Sequence, residues 1–242
     1  MSGVSQPHLL RELGKYTLLM PIGHGGMSDV HLAVTRGPAG FSKLLVIKLL
    51  REELTEDPRA LTMFLDEARL AARLSHPNIV QTYEVGEEQG RYFIAMEFLD
   101  GQPLHKIIHC FKKKGNIHQG VAARIVSEVL AGLHHAHEAT DIDGEPLQVV
   151  HRDVSPHNVF VTYDGQIKLV DFGIAKAIDS VAQTSAGFFK GKFAYAAPEQ
   201  VLGVSADRRC DVFSAGVVLA EMLSLERLWG HLIEPAIVSR LQ

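Results

Sequence analysis

The apolar pattern of the chain changes period once, near Asp100-Gly101, and that change restricts the fold more than any other feature. Before it, apolar residues come in short alternating or continuous runs at 16–22, 29–35, 43–50, 80–85 and 91–98. Gly, Pro or charged turns bound these runs, which is the pattern of strands. One helix interrupts them. Asp57 is its N-cap, Pro58 suits the first helical position, and Leu61, Phe64, Leu65, Ala68 and Ala72 follow at helical spacing. Ser75-His76-Pro77 ends it. After Gly101 the long stripe Val121, Ile125, Val129, Leu133 repeats every four residues. Short strand-like pieces at 159–162 and 167–170 flank the turn Tyr163-Asp164-Gly165, and a helix follows at 211–225. The pattern predicts an α+β, bilobal chain: an extension over 1–15, a strand-rich lobe over 16–99 and a mostly helical lobe over 100–242. A segment at 97–102 joins the lobes, and a cleft between lobes is the default place for a ligand.

Composition narrows the function classes. The chain has 242 residues, 46% of them hydrophobic, which suffices for a core and excludes a disordered chain. A net charge of −4 and sparse aromatics argue against nucleic acid as partner. Lys112-Lys113-Lys114 reads as a solvated helix end. Cys110 and Cys210 are too few and too distant for a disulfide framework or a zinc site, which fits a reducing, cytoplasmic setting. The first sixteen residues carry no long apolar core of a signal peptide. The most apolar stretch, 212–225, contains Ser214, Gly216, Glu221 and Ser224, and reads as a buried helix rather than a membrane span.

Several motifs carry chemistry. "IGHGGMSDVHLA" sets three glycines between two strand-like runs, where they serve a plain turn or bring N–H groups close to phosphate. "LLVIKLL" places Lys48 inside a strand, where a buried ammonium needs a partner. The helix "FLDEARLAARL" offers Glu67, with Asp66 as its rival. "VVHRDVSPHNVF" spaces Asp153 and Asn158 five residues apart, and Asp171 opens "DFG" directly after "IKLV". A carboxylate and an amide that converge make a site for Mg²⁺, a hard cation that prefers oxygen. Asp153 is then left to accept a proton from a hydroxyl.

The order of glycine loop, strand Lys, helix Glu, HRD…N, DFG and APE resembles the signature set of protein kinases over nearly the whole chain. Through "GHGGMSDVHLA", "HPNIV" and "APEQVLG" it most resembles the eukaryotic-like Ser/Thr kinases of bacteria. The resemblance implies ATP and Mg²⁺ as cofactors and protein substrates as partners. It places Gly23, Gly25 and Gly26 at the phosphates, Ile22 among the nucleotide-binding residues, Met96 as gatekeeper, and the backbone of Glu97 to Leu99 at the adenine. Val30 and Val46 would roof the ring and Phe160 floor it. Lys48, paired with Glu67, would hold the α- and β-phosphates. Asn158 and Asp171 would hold Mg²⁺, and Asp153 would be the catalytic base. Arg152 would meet a phosphorylated activation loop, with Thr184 and then Ser185 as the acceptors. Glu199 and Asp211 would be structural.

The sequence also departs from the family. Ser28 stands at the third glycine position of the loop. Ser155 stands where Ser/Thr kinases carry a lysine, and Lys192 where they carry a threonine. The two changes look like one exchange, with Lys192 supplying the ammonium missing at Ser155. The same substitution weakens the choice between Ser/Thr and Tyr as acceptor, and motivates the alternative of a pseudokinase acting as a nucleotide-binding scaffold. An inserted segment, 140–148, reads as a surface hairpin or turn. The chain stops soon after the 211–225 helix, where the family adds further helices, so a truncated domain is expected, with room for sensor or membrane domains beyond it.

Overall fold

The computed structural model describes residues 11–172 and 194–229, together with residues 236 and 240. It divides into two compact units, residues 1–72 with 82–98, and residues 73–81 with 99–242.

The first unit is built on a six-stranded antiparallel sheet. Its strands are β1 (Arg11–Leu13), β2 (Tyr16–His24), β3 (Ser28–Arg36), β4 (Ser42–Leu50), β5 (Thr82–Glu88) and β6 (Arg91–Glu97), in the order β1-β2-β3-β4-β6-β5. Strand β4 explains why "LLVIKLL" reads as a continuous apolar run. A strand covered on both faces has no polar side to show. Leu45, Ile47 and Leu49 join Leu13, Tyr16, Leu18, Ala33, Phe93 and Ala95 in one cluster. Leu50, of the opposite parity, packs with Ile94 and with Phe64 and Ala68 of helix α1 (Pro58–Arg73). Asp57 caps that helix as expected: its Oδ1 accepts the N–H of Arg59 at 2.9 Å.

The sheet curls until its second strand meets its last. The Tyr16 hydroxyl donates to the Glu84 carboxylate, Lys15 Nζ lies 2.6 Å from the same carboxylate, and the Tyr16 ring meets Phe93 edge-on. Burial first, and then the Glu84 bond, push the Tyr16 phenol up to about 12. The Lys15 and Tyr16 bonds hold Glu84 below the ordinary carboxylate range. Leu13 is 4% exposed, so β1 contributes to this core.

The second unit packs helices α2 (Leu104–Lys114), α3 (Gln119–His137), α4 (Pro198–Val201) and α5 (Arg209–Ser224) with a three-stranded sheet. The sheet runs β7 (Gly101–Pro103), β8 (Val159–Thr162), β9 (Ile167–Leu169). Ile125, Val129 and Leu133 lie in its core, as the helical stripe predicts. Val121 does not: it is 50% exposed, in the first turn of α3, and Ala122 takes the buried position. Lys112, Lys113 and Lys114 are exposed in the last turn of α2, where cations face the carbonyl end of the helix dipole.

Residues 73–81 belong with this unit, whereas the sequence pattern assigns them to the strand-rich lobe. Asn78 is the reason. Its Nδ2 donates to Ile167 O at 2.9 Å and to Glu128 Oε2 at 3.0 Å. Its carbonyl accepts Leu169 N–H at 2.8 Å, and Val80 N–H donates back to Leu169 O. The 140–148 insert is a hairpin: Thr140 bridges Pro146, and Asp141 Oδ1 accepts the N–H groups of Asp143 and Glu145. Among the described residues no helix is long and apolar enough to cross a membrane.

Candidate active site

The candidate residues fall on both units. In the first, β2 and β3 form the glycine hairpin, with Gly23 opposite Val30 and His24 opposite Asp29. The turn closes with Gly25 N–H donating to Ser28 O at 2.8 Å. A Cβ on Gly25 would sit 3.2 Å from that oxygen, so the tight turn favours glycine. Ser28, in place of a third glycine, is buried at 5% exposure. Ile22 and the tip glycines Gly25 and Gly26 are exposed.

Strand β4 carries the next residues, in register with both neighbours. Val46 pairs with Leu32 and Met96, and Lys48 with Val30 and Ile94. Glu97, at the end of β6, pairs with Leu45. Lys48 is 9% exposed, and its Nζ lies 2.5 Å from Glu67 Oε1. Helix α1 therefore selects Glu67 over Asp66, which pairs outward with Arg69. The pair meets the condition that a buried ammonium be matched, and leaves a fixed cation suited to phosphate oxygen.

In the second unit Asp211 organises the "HRDVSPHN" loop. Its Oδ2 accepts His151 N–H at 2.9 Å, its Oδ1 accepts Arg152 N–H at 2.8 Å, and His137 Nε2 lies 2.8 Å from Oδ2. Burial alone would raise the Asp211 value, but the His137 bond, His151 and the two backbone donors outweigh it and hold the carboxyl below its ordinary range. Gln200 of α4 ties the loop from the other side, its Nε2 donating to Arg152 O at 3.0 Å. These bonds hold Arg152 at φ 62°, a conformation disfavoured for a side-chain-bearing residue.

Asn158 Nδ2 donates to Asp153 O at 2.9 Å and to Asp153 Oδ2 at 3.0 Å. Asn158 O accepts Val170 N–H at 3.0 Å, so Asp171 starts from backbone adjacent to Asn158. Asp171 is exposed, with φ 53°, while Phe172 beside it is 3% exposed against the His151 ring. The amide nitrogen of Asn158 is committed to Asp153, and its remaining polar atom is the oxygen a hard cation takes. One amide oxygen and one carboxylate fit Mg²⁺, which completes its shell with water and substrate phosphates. Among the described residues no three His, Cys, Asp or Glu gather as a metal site of their own.

Of the remaining expected residues, Ser155 is buried at 8% exposure and its carbonyl accepts Asn158 N–H. Leu99 and Phe160 are half-buried, Phe160 in β8 opposite Pro103 and Lys168. Lys192, Thr184 and Ser185 lie outside the described residues. The sequence pattern overlooked His137 and Gln200. His137 had a signal, since it extends the stripe 125, 129, 133 by one more step of four. Gln200 had none.

Residues 16–240 match the protein kinase domain. The tyrosine-protein kinase MasK of Myxococcus xanthus is 43% identical over 96% of this chain and 36% of its own length. The serine/threonine-protein kinase PrkC of Bacillus subtilis is 36% identical over 87% of this chain and 30% of its own length. The chain thus spans about a third of the length of these relatives. The crystal structure of the Mycobacterium tuberculosis PknI kinase domain superposes with a TM-score of 0.66 at 27% identity. That match covers 90% of this chain and 77% of the other. By sequence and by fold, the chain belongs to the protein kinase domain family.

Proposed function

We propose that this domain transfers the γ-phosphate of ATP to Ser or Thr hydroxyls of protein substrates, with Mg²⁺ held by Asn158 and Asp171. The observation that carries the reading is the pair of hydrogen bonds that the Asn158 amide nitrogen donates to Asp153. It fixes the proposed base against the proposed metal ligand. When bound, the metal neutralises phosphate charge. Lys48, braced by Glu67, holds the α- and β-phosphates, and the Asp153 carboxylate accepts the proton of the attacking hydroxyl. The chemistry asks for positioning and charge rather than covalent work. Gly23, Gly25 and Gly26 cover the phosphates. Ile22, Val30, Val46, Met96, Glu97, Leu99 and Phe160 receive the base. Lys192 supplies the ammonium that Ser155 lacks, and Arg152 receives a phosphate placed on Thr184 or Ser185. A cytoplasmic setting suits the two free cysteines.

One observation favours a second acceptor. MasK is named a tyrosine kinase, and Ser155 removes the lysine that marks Ser/Thr specificity. The test is transfer of label from γ-labelled ATP with Mg²⁺, to the chain itself and to a generic protein, followed by phosphoamino-acid analysis. Phosphoserine or phosphothreonine supports the first reading and phosphotyrosine the second. ATP binding without any transfer would leave a nucleotide-binding scaffold.

A further inference from the structure

The peptide group that joins Arg152 to Asp153 is gripped at both ends by side chains. Its carbonyl, Arg152 O, accepts Gln200 Nε2–H at 3.0 Å. Its amide, Asp153 N–H, donates to His151 Nδ1 at 3.2 Å. The His151 ring is fixed in turn, because its Nε2 lies 3.2 Å from Val170 O and its ring packs on Phe172. Val170 N–H closes the circuit on Asn158 O at 3.0 Å. Gln200 thus bonds the peptide plane from which the Asp153 side chain departs.

That plane needs holding. Arg152 is at φ 62°, where a side-chain-bearing residue is disfavoured, so the backbone gains by turning once its bonds are removed. Asp211 secures the near side through the N–H groups of His151 and Arg152. The far side, the Arg152 carbonyl, goes to Gln200. The Gln200 amide has a second task. Its Oε1 accepts Ala197 N–H at 3.0 Å and closes the start of α4. The oxygen therefore shapes α4, while the nitrogen reaches the loop. Glutamate would keep the first half of this arrangement, and lysine the second.

Resting on the kinase reading above, we propose that Gln200 is a positioning residue of phosphotransfer: its Nε2–H holds the Arg152 carbonyl, and so keeps the Asp153 carboxylate aimed where the acceptor hydroxyl is to lie. ATP is bound by other groups, so the effect falls on turnover and not on nucleotide affinity.

The test is steady-state transfer from ATP and Mg²⁺ to a generic protein by the 242-residue chain, Gln200→Glu and Gln200→Lys, with urea unfolding of each. Gln200→Glu should lose kcat about tenfold or more, with KM for ATP within about twofold of native. Gln200→Lys, which keeps a donor, should retain kcat within about threefold. If Gln200→Glu shows no cooperative unfolding, the uncharged Gln200→Met replaces it under the same expectation. Native kcat in Gln200→Glu would overturn the assignment while leaving the kinase reading intact. An equal loss in the Glu and Lys variants would also overturn it, as would a rise in KM that accounts for the whole effect, since each marks a merely structural role. No transfer by the native chain, to itself or to the generic protein, would sink the kinase reading and this inference with it.

Discussion

Asp211 holds His151 by its backbone, not by its ring: the carboxylate accepts the His151 N–H at 2.9 Å and the next N–H, of Arg152, at 2.8 Å. One buried side chain on α5 thus sets the path of the loop that carries Asp153 and Asn158. Asp211→Asn puts an amide donor against these donors and breaks the His137 pair. It should cost about 3 kcal/mol of stability by urea unfolding. A loss below about 1 kcal/mol would contradict this anchoring role. The pH dependence has a definite sign. Folding lowers the Asp211 value, so its contribution is complete above the unfolded carboxylate value of about 3.9. It is lost as pH falls through the lower folded value. The Asn variant should therefore show a shallower acid-side decline than the native chain.

Lys48→Met should reduce phosphotransfer about a hundredfold or more, because the cation proposed to hold the phosphates disappears. Glu67→Gln should reduce it less, since Lys48 keeps its charge but loses its brace. Steady-state transfer to a generic protein substrate ranks the two. A Glu67→Gln enzyme as impaired as Lys48→Met would mean that Glu67 does more than orient.

Asp153→Asn should bind ATP normally and lose transfer by roughly 10²–10⁴-fold, the range of a general base. The measurement pairs ATP titration with label transfer. Retained transfer would remove Asp153 from the role of base.

Much of this site could be read from residue spacing, and the reasons are local. Lys48 sits in a strand covered on both faces, so its charge stands out against the apolar run. Asp57-Pro58 marks the start of α1 because capping needs only neighbours in sequence. Features that depend on distant partners were not legible. Strand β1 is three residues long and only Leu13 reports its burial; its pairing with β2 is tertiary. Val80 opens the run 80–85 expected in the first sheet, yet its N–H and Asn78 bind Leu169 of β9. Val121 continues the stripe of α3 by spacing but lies at the exposed start of the helix.

Gly101→Ala should disrupt the pairing of β7 with β8. A Cβ there would come 2.2 Å from Val161 O and 2.5 Å from Thr162 Cα, both backbone atoms that cannot rotate away. A loss of about 3 kcal/mol is expected by thermal or urea unfolding. A variant of native stability would show that the strand can shift at no cost.

The two thiols should separate cleanly. Cys110 is exposed and Cys210 buried, with burial pushing the Cys210 thiol up to about 12. A disulfide reagent at neutral pH should titrate one thiol per folded chain quickly and the second only on denaturation. Fast reaction of both would show that α5 opens readily.

The placement of residues 73–81 governs how this protein can be dissected. The chain passes from one unit to the other at 72–73, returns at 81–82 and leaves for good at 98–99. A single cut after residue 98 would strip Asn78 and Val80 from Leu169, and leave β9 without the neighbour that completes its edge. Anyone building chimaeras from related domains should therefore graft the "HPNIV" stretch together with the 99–242 portion. A library recombined at the visible lobe boundary alone will carry mismatched halves of that edge in every clone.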